Sequence, residues 1–157
     1  MKSLDERKIE KCFNAKVREY QKLVGRAGTY GKDLDDVGKQ IYKKEWSGIY
    51  SQNNLPLSKI KKNKRLYGIF NSDYQGMGVH WLSFYVRDNQ LYIWDSFGRN
   101  IDDIVSVLHK QLKNQRIRFQ MSDRDRNQKD IEEDCGARCL AWLDCVKEYG
   151  IRLAMKI

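Results

Sequence analysis

The sequence predicts an α+β fold: a small, mostly antiparallel mixed sheet flanked by helices. Three observations predict it. Apolar residues recur at helical spacing near both ends of the chain. The middle holds short runs rich in β-branched and aromatic residues, bounded by turn residues. The composition suits one packed core: 157 residues with 9 Tyr, 5 Phe and 4 Trp, long enough to need no metal or disulfide staple. That aromatic content excludes a disordered tail. One Pro and 11 Gly exclude collagen-like and proline-rich chains. No repeat, low-complexity segment or linker interrupts the chain, so residues 1–157 read as a single domain.

Ser3-Leu4-Asp5-Glu6 has the form of a capping box. Ile9, Cys12, Phe13, Val17, Tyr20, Leu23 and Val24 then keep helical spacing until Gly25. This predicts an amphipathic helix over about 4–24, within an N-terminal unit of 1–25. A second helix is expected over about 33–46, burying Leu34, Val37 and Ile41. The stretch 47–57 reads as irregular, with Pro56 inside it, and 59–65 as a basic loop or strand entry. Strands are expected at 66–70, 80–86 and 91–97, with Asp88-Asn89 turning the second hairpin. A helix over about 101–114 uses Ile101, Ile104, Val105, Leu108 and Leu112. RIRFQM (116–121) alternates like a strand, and a last helix runs over about 135–149 to Gly150.

The charge is +9, from 30 Lys+Arg against 21 Asp+Glu. No apolar run approaches the roughly 20 residues of a membrane helix. MKSLDERKIEKC lacks the apolar core of a secretory signal, so a protein that is not secreted, in a reducing compartment, is expected. The four cysteines, at 12, 135, 139 and 145, include no CxxC pair, and there are two histidines. No metal site is expected from that set. Cys12, Cys139 and Cys145 read as core packing.

If the chain is an enzyme, its nucleophile should be a Cys or Ser with a His to activate it. His109 sits near a helix C-terminus, where a solvated or dipole-satisfying role fits best. His80 follows a glycine-rich loop and opens an apolar strand, at the rim of the sheet. Alone it would read as a core or edge histidine. Asp95 ends the strand that the 88–89 turn folds back beside it, close enough to fix its tautomer and stabilise its imidazolium. Cys135 opens the last helix, where a thiolate meets the positive end of the dipole. Gly136 lets a substrate backbone come close. Gln128 could donate to an oxyanion together with the Cys135 N–H, although by itself it is an ordinary polar loop residue.

The order His80-Trp81, Asp95, Gln128, Asp134-Cys135-Gly136 resembles that of adenovirus-protease-like cysteine peptidases, in the wider SUMO-protease-like clan. GTY (28–30), SGIYSQNNLP (47–56), YGIFNSD (67–73), GMGVHW (76–81), LYIWDSFG (91–98) and DCGARCLAWL (134–143) resemble consecutive blocks of that family. The resemblance spans roughly residues 28–150 and implies that clan's fold, with a catalytic core at 66–150. It implies Cys135 as nucleophile, His80 as general base and acid, Asp95 as its orienter and Gln128 as oxyanion donor. Trp81, Gly78 and Gly136 would meet the substrate, with Gly76 beside them. RIRFQM carries no Cys, and little chain follows the Cys135 helix. Both depart from adenoviral members and point to a compact enzyme without a disulfide-linked activator.

The resemblance also implies partners. Substrates would be viral capsid or core precursors, cut at Gly-containing sites during virion maturation in the infected cell. A monomer needing no cofactor for its chemistry is expected. Lys59, Lys61, Lys62, Lys64 and Arg65 form one basic cluster, and Lys110, Lys113, Arg116 and Arg118 another, next to His109. They are candidate contacts for nonspecific DNA, which would then be a candidate activator. Two other readings remain open. One is a ubiquitin- or SUMO-like deconjugating protease. The other is a nucleic-acid-binding module without catalysis, in which Cys135 and His80 are structural.

Overall fold

The computed structural model describes residues 2–25, 31–62, 65–72, 80–122 and 134–157, the Asp103 side chain excepted. Helix α1 spans Leu4–Val24, and Ser3 Oγ accepts the Glu6 N–H at 3.1 Å, as its capping signature predicts. Its buried stripe is Ile9, Phe13, Val17, Tyr20 and Val24. Leu23 is exposed and Cys12 only half-buried, because both flank that stripe rather than lie in it. Helix α2 spans Gly31–Tyr42, starting and stopping earlier than the pattern suggests. Trp46 is not its last turn. The ring packs back onto α2 at Gly38, and its Nε1–H donates to Asp35 at 2.8 Å.

Trp46 instead opens strand β1, Trp46–Ser51, in a stretch the sequence left irregular. Helix α3, Leu57–Lys62, follows, buries Ile60 and replaces the expected basic loop. Then come β2 (Arg65–Asn71), β3 (Trp81–Arg87) and β4 (Gln90–Trp94). The expected helix over 101–114 is two helices, α4 (Ile101–Ile104) and α5 (Ser106–Asn114), broken at Val105. Strand β5 is only Phe119–Met121. Helix α6, Cys135–Tyr149, matches its expected bounds, and a short α7, Ile151–Ala154, follows Gly150. No helix among the described residues is long and apolar enough to cross a membrane.

The five strands form one mixed sheet in the order β1-β2-β3-β4-β5. The central three run antiparallel, and each edge strand runs parallel to its neighbour. Asp88 and Asn89 both adopt positive φ, 50° and 68°, as a two-residue type I′ hairpin requires. Strand side chains alternate between two cores. Tyr67, Ile69, Tyr85 and Trp94 pack under α1, α2, α6 and α7. Leu66, Phe70, Phe84, Leu91 and Ile93 pack under α3, α4 and α5. A sheet dry on both faces reads as near-continuous apolar runs, which is why β2–β4 are visible in the sequence.

Gly68 in β2 shows how closely the second core is filled. A Cβ there would lie 2.2 Å from Cζ of Phe84. Gly68→Ala is expected to cost about 1–3 kcal/mol by overpacking. Urea unfolding should show a lower midpoint with an unchanged slope. An unchanged midpoint would mean that the Phe84 ring yields freely.

Candidate active site

The tight turn at 88–89 places the start of β3 beside the end of β4. His80 immediately precedes β3, and Ser72 N–H donates to its carbonyl at 2.9 Å, continuing the β2–β3 ladder. Asp95 immediately follows β4. The two side chains meet there: His80 Nε2 lies 2.6 Å from Asp95 Oδ1, with both residues buried. Asp95 is clasped further. Oδ1 accepts the Phe97 N–H at 3.3 Å, and Oδ2 accepts the Arg99 backbone N–H at 3.0 Å and Nε–H at 3.1 Å. The Phe97 ring packs on the imidazole, centroids 4.9 Å apart.

Helix α6 brings the third residue. It lies across β3, where Ser83 Oγ donates to the Cys139 carbonyl at 3.0 Å, one turn past Cys135. Cys135 is half-buried at the helix start and interacts electrostatically with the His80 ring. With Nε2 committed to Asp95, Nδ1 is the nitrogen left for the thiol. The Trp81 N–H also points at Cys135 Sγ, 3.4 Å away. The sulfur therefore sits among a ring N, a backbone N–H and a helix N-terminus. Gly136 is buried in the same first turn.

The electrostatics follow from these contacts. Burial opposes a charged His80, but its interactions with Asp95 and Cys135 outweigh that and raise its proton affinity. Burial likewise opposes a charged Asp95. The His80 and Arg99 contacts outweigh it and hold the carboxyl down to about 2. The other two helix thiols differ. Burial pushes Cys139 far up, and Cys145 up to about 12. Both are inert packing, as expected. Cys12 is not core: its thiol lies at the α1–α6 seam, 3.8 Å from Glu148 Oε2.

Gln128, Gly76, Gly78 and Lys64 fall outside the described residues. His109 departs from its solvated reading. Its Nδ1 pairs with Asp102, and its ring meets Phe119 edge-on at 5.3 Å. It ties α4 to α5 across the Val105 break. Among the basic residues, Lys61 Nζ donates to Gln115 Oε1 at 2.8 Å, setting α3 beside the end of α5. Lys59, Lys61, Lys62, Lys110, Lys113 and Arg116 are all exposed, and the helices α3 and α5 cover one sheet face. Arg65 turns away from them toward Glu45, 3.9 Å off, and Tyr85. Arg118 is exposed beside β5.

Sequence reasoning missed several supporting residues. Gln52 donates its amide to the Ser72 carbonyl, bracing the residue whose N–H holds His80. Ser122 lies 3.4 Å from the Asp95 N–H, and Arg99 shares the Asp95 carboxylate. Only Arg99 had a local signal, a cation four residues after the acid in a turn ending at Gly98. Among the described residues, no group of three or more His, Cys, Asp or Glu could hold a metal. In comparisons with known proteins, no protein-family model matches the chain and no curated protein is significantly similar to it.

Acid unfolding tests the Asp95 assignment. Its folded pKa lies below the ordinary 3.8. Its stabilising contribution is therefore complete above that value and fades as pH falls toward about 2. The contribution is about 2 kcal/mol. Urea midpoints between pH 5 and 2, compared with those of Asp95→Asn, should show a flatter acid decline in the variant. Parallel declines would mean that Asp95 is not the depressed group.

Proposed function

We propose that this chain is a cysteine endopeptidase. The single observation that carries the reading is the chain of contacts Asp95–His80–Cys135, which joins residues far apart in sequence at one sheet rim. In this mechanism the Cys135 sulfur, its proton passed to His80, attacks the scissile carbonyl. The tetrahedral intermediate collapses when the His80 imidazolium protonates the leaving amine. His80 then deprotonates the water that releases the acyl group. Asp95 holds the ring and stabilises the imidazolium in both steps. The Trp81 N–H at the sulfur and the proposed Gln128 amide would supply donors for the oxyanion.

The family and substrate proposals rest on the motif order. The His, Asp, Gln, Cys sequence and its flanking blocks favour an adenovirus-protease-like enzyme with that clan's fold. It would act on viral capsid or core precursors at Gly-containing sites, in the virion and infected cell. The exposed lysines and Arg116 of the α3–α5 face favour nonspecific DNA as its second partner and activator.

The test is cleavage of a mixed peptide pool rich in Gly-containing sites, read by mass spectrometry with and without DNA. Cutting should vanish in Cys135→Ala and fall about 10³-fold in His80→Ala. Because His80 holds its proton more tightly than usual, leaving-group protonation persists to higher pH and is lost as pH rises through the folded His80 value. Cutting confined to folded ubiquitin-like conjugates would favour the deconjugase. No cutting of any substrate, with Cys135 no more reactive than Cys12, would favour the binding module.

DNA binding has its own measurement. Its affinity should fall steeply and linearly in log–log form with salt, as phosphate contacts require. Lys62→Glu with Lys113→Glu should flatten that slope. A salt-independent affinity would remove DNA from the proposal.

A further inference from the structure

Asp95 does not belong to His80 alone. Its side chain is fully buried, yet it faces a titratable imidazole on one side and a guanidinium on the other. Oδ1 meets His80 Nε2 at 2.6 Å, and Oδ2 takes two bonds from Arg99, through the backbone N–H and the guanidinium Nε–H. The Arg99 side chain is 39% exposed, so its charge stays hydrated while its inner edge reaches the buried oxygen. The Arg99 guanidinium carbon also lies 4.8 Å from the centroid of the Phe97 ring, and Phe97 is the ring packed on the imidazole. Arg99 thus touches both things that fix the His80 ring, the carboxylate at its edge and the aromatic on its face.

We infer that Arg99 is a positioning residue: it holds the Asp95 carboxylate from the side opposite His80 and so limits how strongly that carboxylate draws on the imidazole. The sign follows from Coulomb's law. A cation beside Asp95 offsets part of the negative potential at His80. Removing it leaves the whole carboxylate to the imidazolium, so the ring should hold its proton to higher pH. Among the described residues, the other titratable groups facing this cluster come from α6: Cys135, against the ring, and the buried Cys139. Neither carries a positive charge that could replace Arg99.

A tighter imidazolium is a poorer acid toward a leaving amine, and a less firmly held carboxylate orients the ring less well. Both effects slow turnover without touching the substrate. The catalytic consequence rests on the peptidase reading above, whereas the titration of His80 does not.

The experiment is an NMR titration of ¹⁵N-labelled imidazole in the full chain, comparing wild type, Arg99→Met and Arg99→Lys. Methionine keeps an apolar stem on Phe97 and removes the charge, while lysine keeps the charge. The His80 midpoint should move up in Arg99→Met and stay near wild type in Arg99→Lys. With a cleaved peptide in hand, Arg99→Met should lower kcat about 10-fold, equivalent to one lost charge-assisted bond, and leave KM unchanged. A wild-type reading covers the case in which Arg99→Met fails to fold. The Arg99 Nε–H resonance should be protected from exchange and should shift with the His80 midpoint. A His80 midpoint unmoved or lowered in folded Arg99→Met overturns the inference, as does an Arg99 Nε–H signal blind to the His80 titration. If no substrate is ever cut but the midpoint moves, the positioning stands and the peptidase reading falls.

Discussion

The register of the β3–β4 hairpin is the constraint on which the rest depends. The Ser83↔Trp94 pairing sets His80 and Asp95 at one end of adjacent strands. It also sorts Ser83, Tyr85, Tyr92 and Trp94 to the α6 face, and Phe84, Val86, Leu91 and Ile93 to the α5 face. A slip of one residue would exchange the faces and send core side chains into the wrong layer. Because both faces are dry, that exchange would disturb two cores at once. Register here is thus fixed by packing on either side and by the positive φ of Asp88 and Asn89 at the turn. The closeness of His80 and Asp95 is a by-product of that packing, and both were legible for that reason.

The candidate nucleophile is tied to the same sheet by a longer route. Helix α6 is pinned to β3 by Ser83 and wrapped from outside by α1. Asp144 of α6 accepts hydroxyl bonds from Tyr20 of α1 and Tyr42 of α2, and Lys16 stands 3.8 Å from it. Burial, then the adjacent carboxylate, drives both phenols well above their ordinary proton affinity, so they remain donors at any physiological pH. Gln21 reaches Asp134 at 2.6 Å, beside Cys135 itself. Within the single domain that the sequence suggests, an N-terminal helix at 1–25 precedes a core at 66–150. In three dimensions α1 supplies one wall of that core and holds the helix that presents the thiol.

What the sequence reveals and what it hides divide along physical lines. Helices α1 and α6 and the β3–β4 hairpin carry their signals locally, as a cap, a stripe, a stop at Gly25 or Gly150, and a two-residue turn. Strand β1 has no such signal. Only Trp46 of its six residues is buried, and its ladder comes from parallel pairing with β2, a partner no local pattern announces. Val105 is apolar and fits a continuous helical stripe, yet its backbone leaves the helix, at φ −138° and ψ 52°, and splits it in two. The same division runs through the site. Cys135, His80 and Asp95 each have ordinary structural uses, and it is their joint placement at strand and helix ends that made them legible. Gln52 and Ser122 are common surface types whose roles arise only from contacts distant in sequence, and Arg99 alone among the missed residues sits near its partner in the chain.

Asp134 shows how the fold manages charge at the candidate nucleophile. An acid next to a cysteine should oppose an anionic sulfur, and its position at the helix start would ordinarily make it a cap. Its side chain makes no cap bond. It is turned instead toward Gln21 and toward Arg138, whose Nε lies 2.9 Å away, with both side chains nearly buried. The carboxylate is thereby paired with a cation one turn along the same helix. Asp95 is paired with Arg99 in the same i, i+4 relation. Two acids beside the candidate pair are therefore each matched by an arginine four residues later. The candidate site is built by limiting negative charge as much as by supplying it.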